Sequence, residues 1–185
     1  MKFIVFDTEF TSWEGSLKNN WNRENEHREL VQIAAYKLDN NKIIDSLDMY
    51  IKPNINCELS EYFVNLTGIT NEKIKKDGIN SIDALQKFYK FSEGIDLYSY
   101  GNDYEIIEEN LLLNCITLNS KLFSSEWKKQ FKDFKILINH LGIDLNQYTS
   151  GTIYKAFNIK VDNTAVHNAM WDAYSLFLVC QEIFK

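Results

Sequence analysis

The 185-residue sequence contains one proline, seven glycines and three cysteines. So few chain breakers argue against collagen-like or low-complexity architecture, and no stretch reads as a linker or an internal repeat. Cys57, Cys115 and Cys180 are odd in number, widely spaced and form no CxxC. That pattern fits reduced, buried thiols in a cytoplasmic protein better than a disulfide framework or a zinc site. No apolar run reaches the roughly eighteen residues a membrane helix needs, and Asp7 and Glu9 arrive before a signal-peptide core could form. Positive charge is also short, with 20 Lys and Arg against 26 Asp and Glu and a net charge of -6. A protein gripping nucleic acid through a broad basic face is therefore not expected. A carboxylate-lined cleft is a different matter, because bound cations invert the local charge.

What is present is globular: 45% hydrophobic and 25% charged residues, in a length suited to one domain over residues 1–185. Residues 2–9 read as a buried strand, and residues 12–29, with Trp13, Trp21 and many charges but no apolar period, as a long loop. Leu30–Leu38 and Lys42–Lys52 flank the turn signal Asp39-Asn40-Asn41 and predict an antiparallel hairpin. After Pro53, Ser60 and Thr70 are expected N-caps of short helices, the second ending at Gly78, and Ser81 opens a third with Ile82, Leu85, Phe88 and Phe91 along one face. Ile95–Tyr100 predicts a strand and Asp103–Ile116 a helix. Residues 125–142 read as largely helical, their stripe of Trp127, Phe131, Phe134, Leu137, Ile138 and Leu141 being core rather than a base-stacking platform. A short helix near 147–157 and a final amphipathic helix over 168–184 complete a mixed sheet with helices on its faces.

Three stretches carry chemistry. In Phe6–Thr11, FDTEFT, Asp7 and Glu9 are two apart on a strand, so their side chains leave one face side by side. Two carboxylates that close hold a proton or a cation between them, and all-oxygen ligation suits Mg²⁺ or Mn²⁺. In His167–Ala173, HNAMWDA, a spacing of five leaves His167 and Asp172 about 140° apart on a helix. They converge more easily if His167 lies in the loop before it. Asp172 would then sit at the edge of the core, costly unless paired or metal-bound, and His167 would be placed to move a proton. In Ser99–Ile107, SYGNDYEII, a strand meets a glycine and turns into a helix, placing Asp103 where ligands of open sheets collect, or as a helix N-cap. His27 and His140 fit ordinary structural positions.

Asp7, Glu9, Asp103, His167 and Asp172, in this order and local wording, resemble the DEDDh 3′-to-5′ exonucleases of the DnaQ-like, ribonuclease-H-like fold. ELVQIAAYKLD and LTGITNEKI extend the resemblance over nearly the whole chain. The wording is most similar to the branch of enhanced-RNAi and histone-mRNA exonucleases and bacterial sporulation-inhibitor-like proteins. The resemblance implies an α/β fold whose first three strands are antiparallel and the later ones parallel. It also implies that Asp7, Glu9, Asp103 and Asp172 bind two Mg²⁺ or Mn²⁺ ions, that His167 is the general base, and that Thr8, Phe10, Thr11, Leu66 and Thr67 meet the terminal nucleotide. The spacing before Asp103 is one residue shorter than the commoner form, which keeps Glu105 as an alternative ligand. The implied partner is single-stranded nucleic acid with a free 3′ end, RNA favoured over DNA, with no membrane. The rivals are a polymerase-associated DNA proofreading exonuclease, which would usually carry a further tail beyond a last helix such as the one ending here, an internally cutting metal-dependent nuclease, and a non-catalytic nucleic-acid-binding module.

Overall fold

A computed structural model of the chain describes residues 1–114, 121–162 and 167–185. Strand β1 (Lys2–Phe10) is followed by a loop holding one short helix, α1 (Ser16–Asn19), where the sequence predicts loop throughout. Strands β2 (Leu30–Asp39) and β3 (Lys42–Lys52) form the expected hairpin, with Asn40 and Asn41 both left-handed at φ 47° and 61°. Asn tolerates that region, which the tightest hairpin turns require at both central positions. Helices α2 (Glu61–Thr67) and α3 (Asn71–Asp77) start at the predicted caps, the Ser60 and Thr70 hydroxyls accepting from the N–H groups of Phe63 and Lys73. Then come the short strand β4 (Ile79–Asn80) and helix α4 (Ser81–Ser92), whose cap is the Asn80 side chain rather than Ser81. The next strand, β5 (Leu97–Ser99), is shorter than the predicted 95–100, and helix α5 (Asp103–Leu113) follows.

Residues 125–142 depart from expectation. Helix α6 (Ser125–Gln130) stops, β6 (Phe131–Asp133) joins the sheet, and only then does α7 (Lys135–Ile138) form, followed by a 3-10 turn to Leu141. The apolar spacing that reads as one helical stripe serves two separate cores: Trp127 and Phe131 pack with Phe6 and Phe88, whereas Phe134 and Ile138 pack with Phe3 and Val5. Strand β6 carries the chain from one face of the sheet to the other. Two 3-10 turns, Leu145–Gln147 and Ile153–Phe157, replace the expected helix near 147–157, and α8 (Ala169–Ile183) closes the chain with Leu176, Phe177 and Cys180 buried. Cys57, expected buried, is exposed, and Cys115 lies outside the described residues.

The six strands are ordered β4-β3-β2-β1-β5-β6, with β1, β2 and β3 antiparallel and β5 and β6 parallel to β1. This is the ribonuclease-H-like mixed sheet that the sequence predicts. Alternation along β1 sends Ile4 and Phe6 to the core on the α4 and α5 side and Phe3 and Val5 to the core on the α8 side. By the same period, Asp7 and Glu9 face α8, while Thr8 and Phe10 face α5. Among the described residues, no helix is long and apolar enough to cross a membrane.

Candidate active site

Strand β1 runs past its parallel partner: β5 pairs only with Ile4 and Val5, so Asp7 and Glu9 project beyond the carboxyl end of β5. Helix α8 packs across β1 and β2 and brings Asp172 onto them from its first turns. Carboxylate oxygens of Asp7, Glu9 and Asp172 all lie within 4.8 Å of one another. The start of α8 is pinned by Gln32, fully buried on β2 directly opposite Glu9, whose side chain accepts from the Ala169 N–H at 3.1 Å and donates to Asp48 at 2.8 Å. Asn168 caps the helix by accepting from Met170 and Trp171.

The electrostatics of this trio are unfavourable as it stands. Burial, followed by the charges of Asp103, Asp172 and Glu9, raises the Asp7 carboxyl well above the usual range. Burial and the neighbouring Asp172 push Glu9 to about 8. Burial likewise pushes Asp172 to about 7, against the opposing hydrogen bond from Ser150. Ser150 Oγ donates to Asp172 Oδ2 at 2.9 Å, whereas Asp172 Oδ1 is buried without a hydrogen-bond partner among the described residues. A bare buried carboxylate oxygen beside two further carboxylates fits a hard divalent cation, which would satisfy the lone pair and offset the repulsion together.

Asp103 begins α5 and is not one of the trio. Thr8 Oγ1, on the opposite face of β1, donates to its Oδ1 at 2.6 Å. Burial raises the Asp103 carboxyl, and hydrogen bonds from Thr8 and Ser99 oppose that rise. Glu105, the alternative the short spacing leaves open, is exposed. His167 is half-buried in the loop just before the Asn168 cap, as its spacing from Asp172 suggests, and holds an uncommon left-handed φ of 65°. Its ring is outside the carboxylate trio.

The predicted nucleotide contacts divide into two kinds. Phe10 and Leu66 are half-exposed, and Phe10 packs against Trp21 with ring centroids 5.5 Å apart. Thr11 is buried, donating to the His27 carbonyl and accepting from Glu29 N–H at 2.9 Å. The Thr67 hydroxyl donates to Phe63 O at 2.9 Å and accepts from Ile69 N–H at 3.1 Å. Sequence reasoning missed Gln32, Ser150 and Gly151. A Cβ on Gly151 would overlap the Asp172 carboxylate, and Trp171 Nε1 donates to the Gly151 carbonyl at 3.1 Å, holding the backbone there. For Gln32 a signal existed, an amide inside the apolar run LVQIAAYKL; for the Ser-Gly pair in a loop there was none.

Three converging acids at the carboxyl edge of a mixed sheet define a candidate metal-dependent hydrolytic centre. Residues 4–179 match the RNase T exonuclease family, and the chain belongs to that family. The chain is 27% identical over 172 residues to the DNA polymerase III PolC-type protein of Caldanaerobacter subterraneus, covering 93% of this chain and 11% of that one. The corresponding protein of Clostridium perfringens is 26% identical over 187 residues, covering all of this chain and 11% of the relative. The chain thus spans about a tenth of the length of these relatives. Among solved structures, the nuclease domain of 3′hExo, a DEDDh family member bound to rAMP, superposes with a TM-score of 0.76 at 17% identity, covering 98% of this chain and 90% of that one. Exonuclease I of E. coli in complex with a dT13 oligonucleotide superposes with a TM-score of 0.66 at 16% identity, covering 98% and 40%. These two likenesses show the fold.

Proposed function

We propose that the chain is a metal-dependent 3′-to-5′ exonuclease that hydrolyses single strands and releases nucleoside 5′-monophosphates. The observation that carries this reading is the convergence of Asp7, Glu9 and Asp172, with Asp172 Oδ1 buried and bare, in a chain of the exonuclease family. Asp7, Glu9 and Asp172, with Asp103 beside them, would hold two Mg²⁺ or Mn²⁺ ions. Bound there, such ions supply a water of lowered pKa and offset charge on the attacking and leaving oxygens. His167, in the loop ahead of α8, takes the proton of the attacking water, a role suited to an imidazole.

Phe10 and Leu66 present apolar surface to the last base, a contact that tolerates any sequence. Thr8, Thr11 and Thr67 spend their hydroxyls inside the protein and act by fixing the wall of the cleft. Cys180 is not a thiol nucleophile for this reaction, because burial pushes its thiol above its usual range and holds it in its inert form.

The sequence wording supports an RNA substrate of the histone-mRNA exonuclease type, as does the rAMP bound to the 3′hExo neighbour. A second reading, DNA proofreading beside a polymerase, draws support from the PolC-type relatives. Timed digestion of end-labelled single-stranded RNA, single-stranded DNA and duplexes with 3′ overhangs decides between them. Mononucleotides released stepwise from the 3′ end, lost in EDTA and restored by Mn²⁺, are expected. Activity that survives complete chelation refutes the reading, and an internal ladder replaces it with an endonuclease.

A further inference from the structure

The lysines of this acidic chain are unevenly placed. Residues 121–135, KLFSSEWKKQFKDFK, carry Lys121, Lys128, Lys129, Lys132 and Lys135 against Glu126 and Asp133. The segment is therefore net +3 in a protein of net -6. Its strand β6 lies beside β5, so the positive charge collects at one edge of the sheet, two strands from β1.

There the structure forms a cavity of about 490 Å³ whose wall includes Ser99, Asn102, Tyr104, Lys128 and Lys132 together with one acid, Asp133. Asn102 and Tyr104 flank Asp103 in the chain, and Ser99 Oγ donates to the Gly101 carbonyl at 3.4 Å. The cavity therefore adjoins the Asp103 side of the proposed centre. Lys132 enters no ion pair among the described residues, and its ammonium donates to the Lys129 carbonyl at 2.6 Å. The nearest acid in sequence, Asp133, is engaged in accepting the Lys135 N–H at 2.9 Å. Lys128 pairs with Glu108 at 2.9 Å and lies over the Tyr104 ring, 4.9 Å from its centroid. The ring is held from behind by Phe131, with centroids 4.7 Å apart.

We infer that this cavity receives the phosphate backbone of the single strand upstream of the terminal nucleotide, with Lys132 and Lys128 as its phosphate contacts. The inference rests on the exonuclease reading above. Its physical basis is that two lysines along one groove hold a phosphate backbone electrostatically and without regard to sequence. The rest of the chain, net negative, repels phosphates, so a strand entering toward the acids is held most favourably along this edge.

The test compares the double variant Lys128→Ala/Lys132→Ala with the parent protein and with the control Lys87→Ala/Lys90→Ala on α4. Binding of a fluorescein-labelled 12-nucleotide single strand is followed by anisotropy in EDTA across salt concentrations. Hydrolysis of the same strand and of thymidine 5′-monophosphate p-nitrophenyl ester is followed in Mn²⁺. Loss of two phosphate contacts should lower the slope of log affinity against log salt by about 1.4 and weaken binding roughly tenfold. KM for the strand should rise in proportion while turnover of the small ester stays unchanged. An unchanged salt slope, an equal effect of the control pair, or a parallel loss on the ester overturns the inference. If the parent hydrolyses neither substrate, the exonuclease reading fails, and the anisotropy slope still judges the cavity on its own.

Discussion

Two helices start at the carboxyl edge of β1, one on each side of the sheet, and each brings an acid in its first turn. On the α8 side, Asp172 meets Asp7 and Glu9 with one oxygen held by Ser150 and the other bare. On the α5 side, Asp103 Oδ1 accepts from Thr8 Oγ1 at 2.6 Å. A carboxylate whose lone pairs are satisfied within the protein is a positioned charge. One left bare beside two others awaits a cation, because burial without a partner costs more than any single hydrogen bond returns. In the proposed centre, the bare Asp172 side would thus depend most on a cation, and Asp103 would join from a side where a hydrogen bond already positions it.

The contrast predicts a ranking of substitutions. Asp172→Ala removes the bare oxygen, and hydrolysis of a labelled strand should fall by about 10³-fold or more, the several kcal/mol attached to metal-assisted chemistry. Gly151→Ala is expected to displace the Asp172 carboxylate by steric overlap. Activity should fall by roughly 10²-fold, as for other small misplacements at reacting centres, while the melting temperature moves by only a few degrees. Thr8→Val removes one hydrogen bond to Asp103 and should cost about tenfold, near the 1.5 kcal/mol typical of a bond to a charged group. A Thr8→Val loss equal to that of Asp172→Ala, read in the same kinetic assay, would erase the distinction between the two sides.

The smallest effect concerns pH. With Glu9 held at about 8 and Asp172 at about 7, the native state without metal keeps protons that the unfolded chain, with ordinary carboxyls, releases. The unfolded state therefore binds fewer protons between about pH 4 and pH 8, and stability falls as pH rises through that window. Differential scanning fluorimetry in EDTA should show a melting temperature lower at pH 8.5 than at pH 5. Saturating Mn²⁺ should restore roughly 5–10 °C, with the larger gain at the higher pH. Asp172→Asn should be more stable than the parent in EDTA at pH 8.5 and nearly indifferent to Mn²⁺. A melting temperature that rises with pH in EDTA would contradict the crowded-carboxylate account.

Much of this was legible in the residues themselves, for local reasons. Asn40 and Asn41 specify a hairpin because few other residues accept two left-handed conformations in succession. Ser60 and Thr70 mark helix starts because their hydroxyls replace missing intrahelical acceptors. Asp7 and Glu9 share a face because the strand period is two. Strand β6 was not legible: Trp127, Phe131, Phe134 and Ile138 satisfy a helical period even though they divide between two cores. Ser150 was invisible as a site element and Gln32 was marked only as an amide in an apolar run, since they act on residues 22 and 137 positions away.

By itself the sequence determined the element types at β1, the hairpin and the capped helices, and it supplied acids at the strand and helix ends that the proposed centre would use. Only the tertiary structure decided which acids meet. Packing of α8 across β1 places Asp172 against Asp7 and Glu9, whereas the pleat of β1 turns Thr8 the other way, toward Asp103. Side-chain direction follows local period, but distance between acids far apart in the chain is set by how helices pack on the sheet, and no short stretch of residues encodes that.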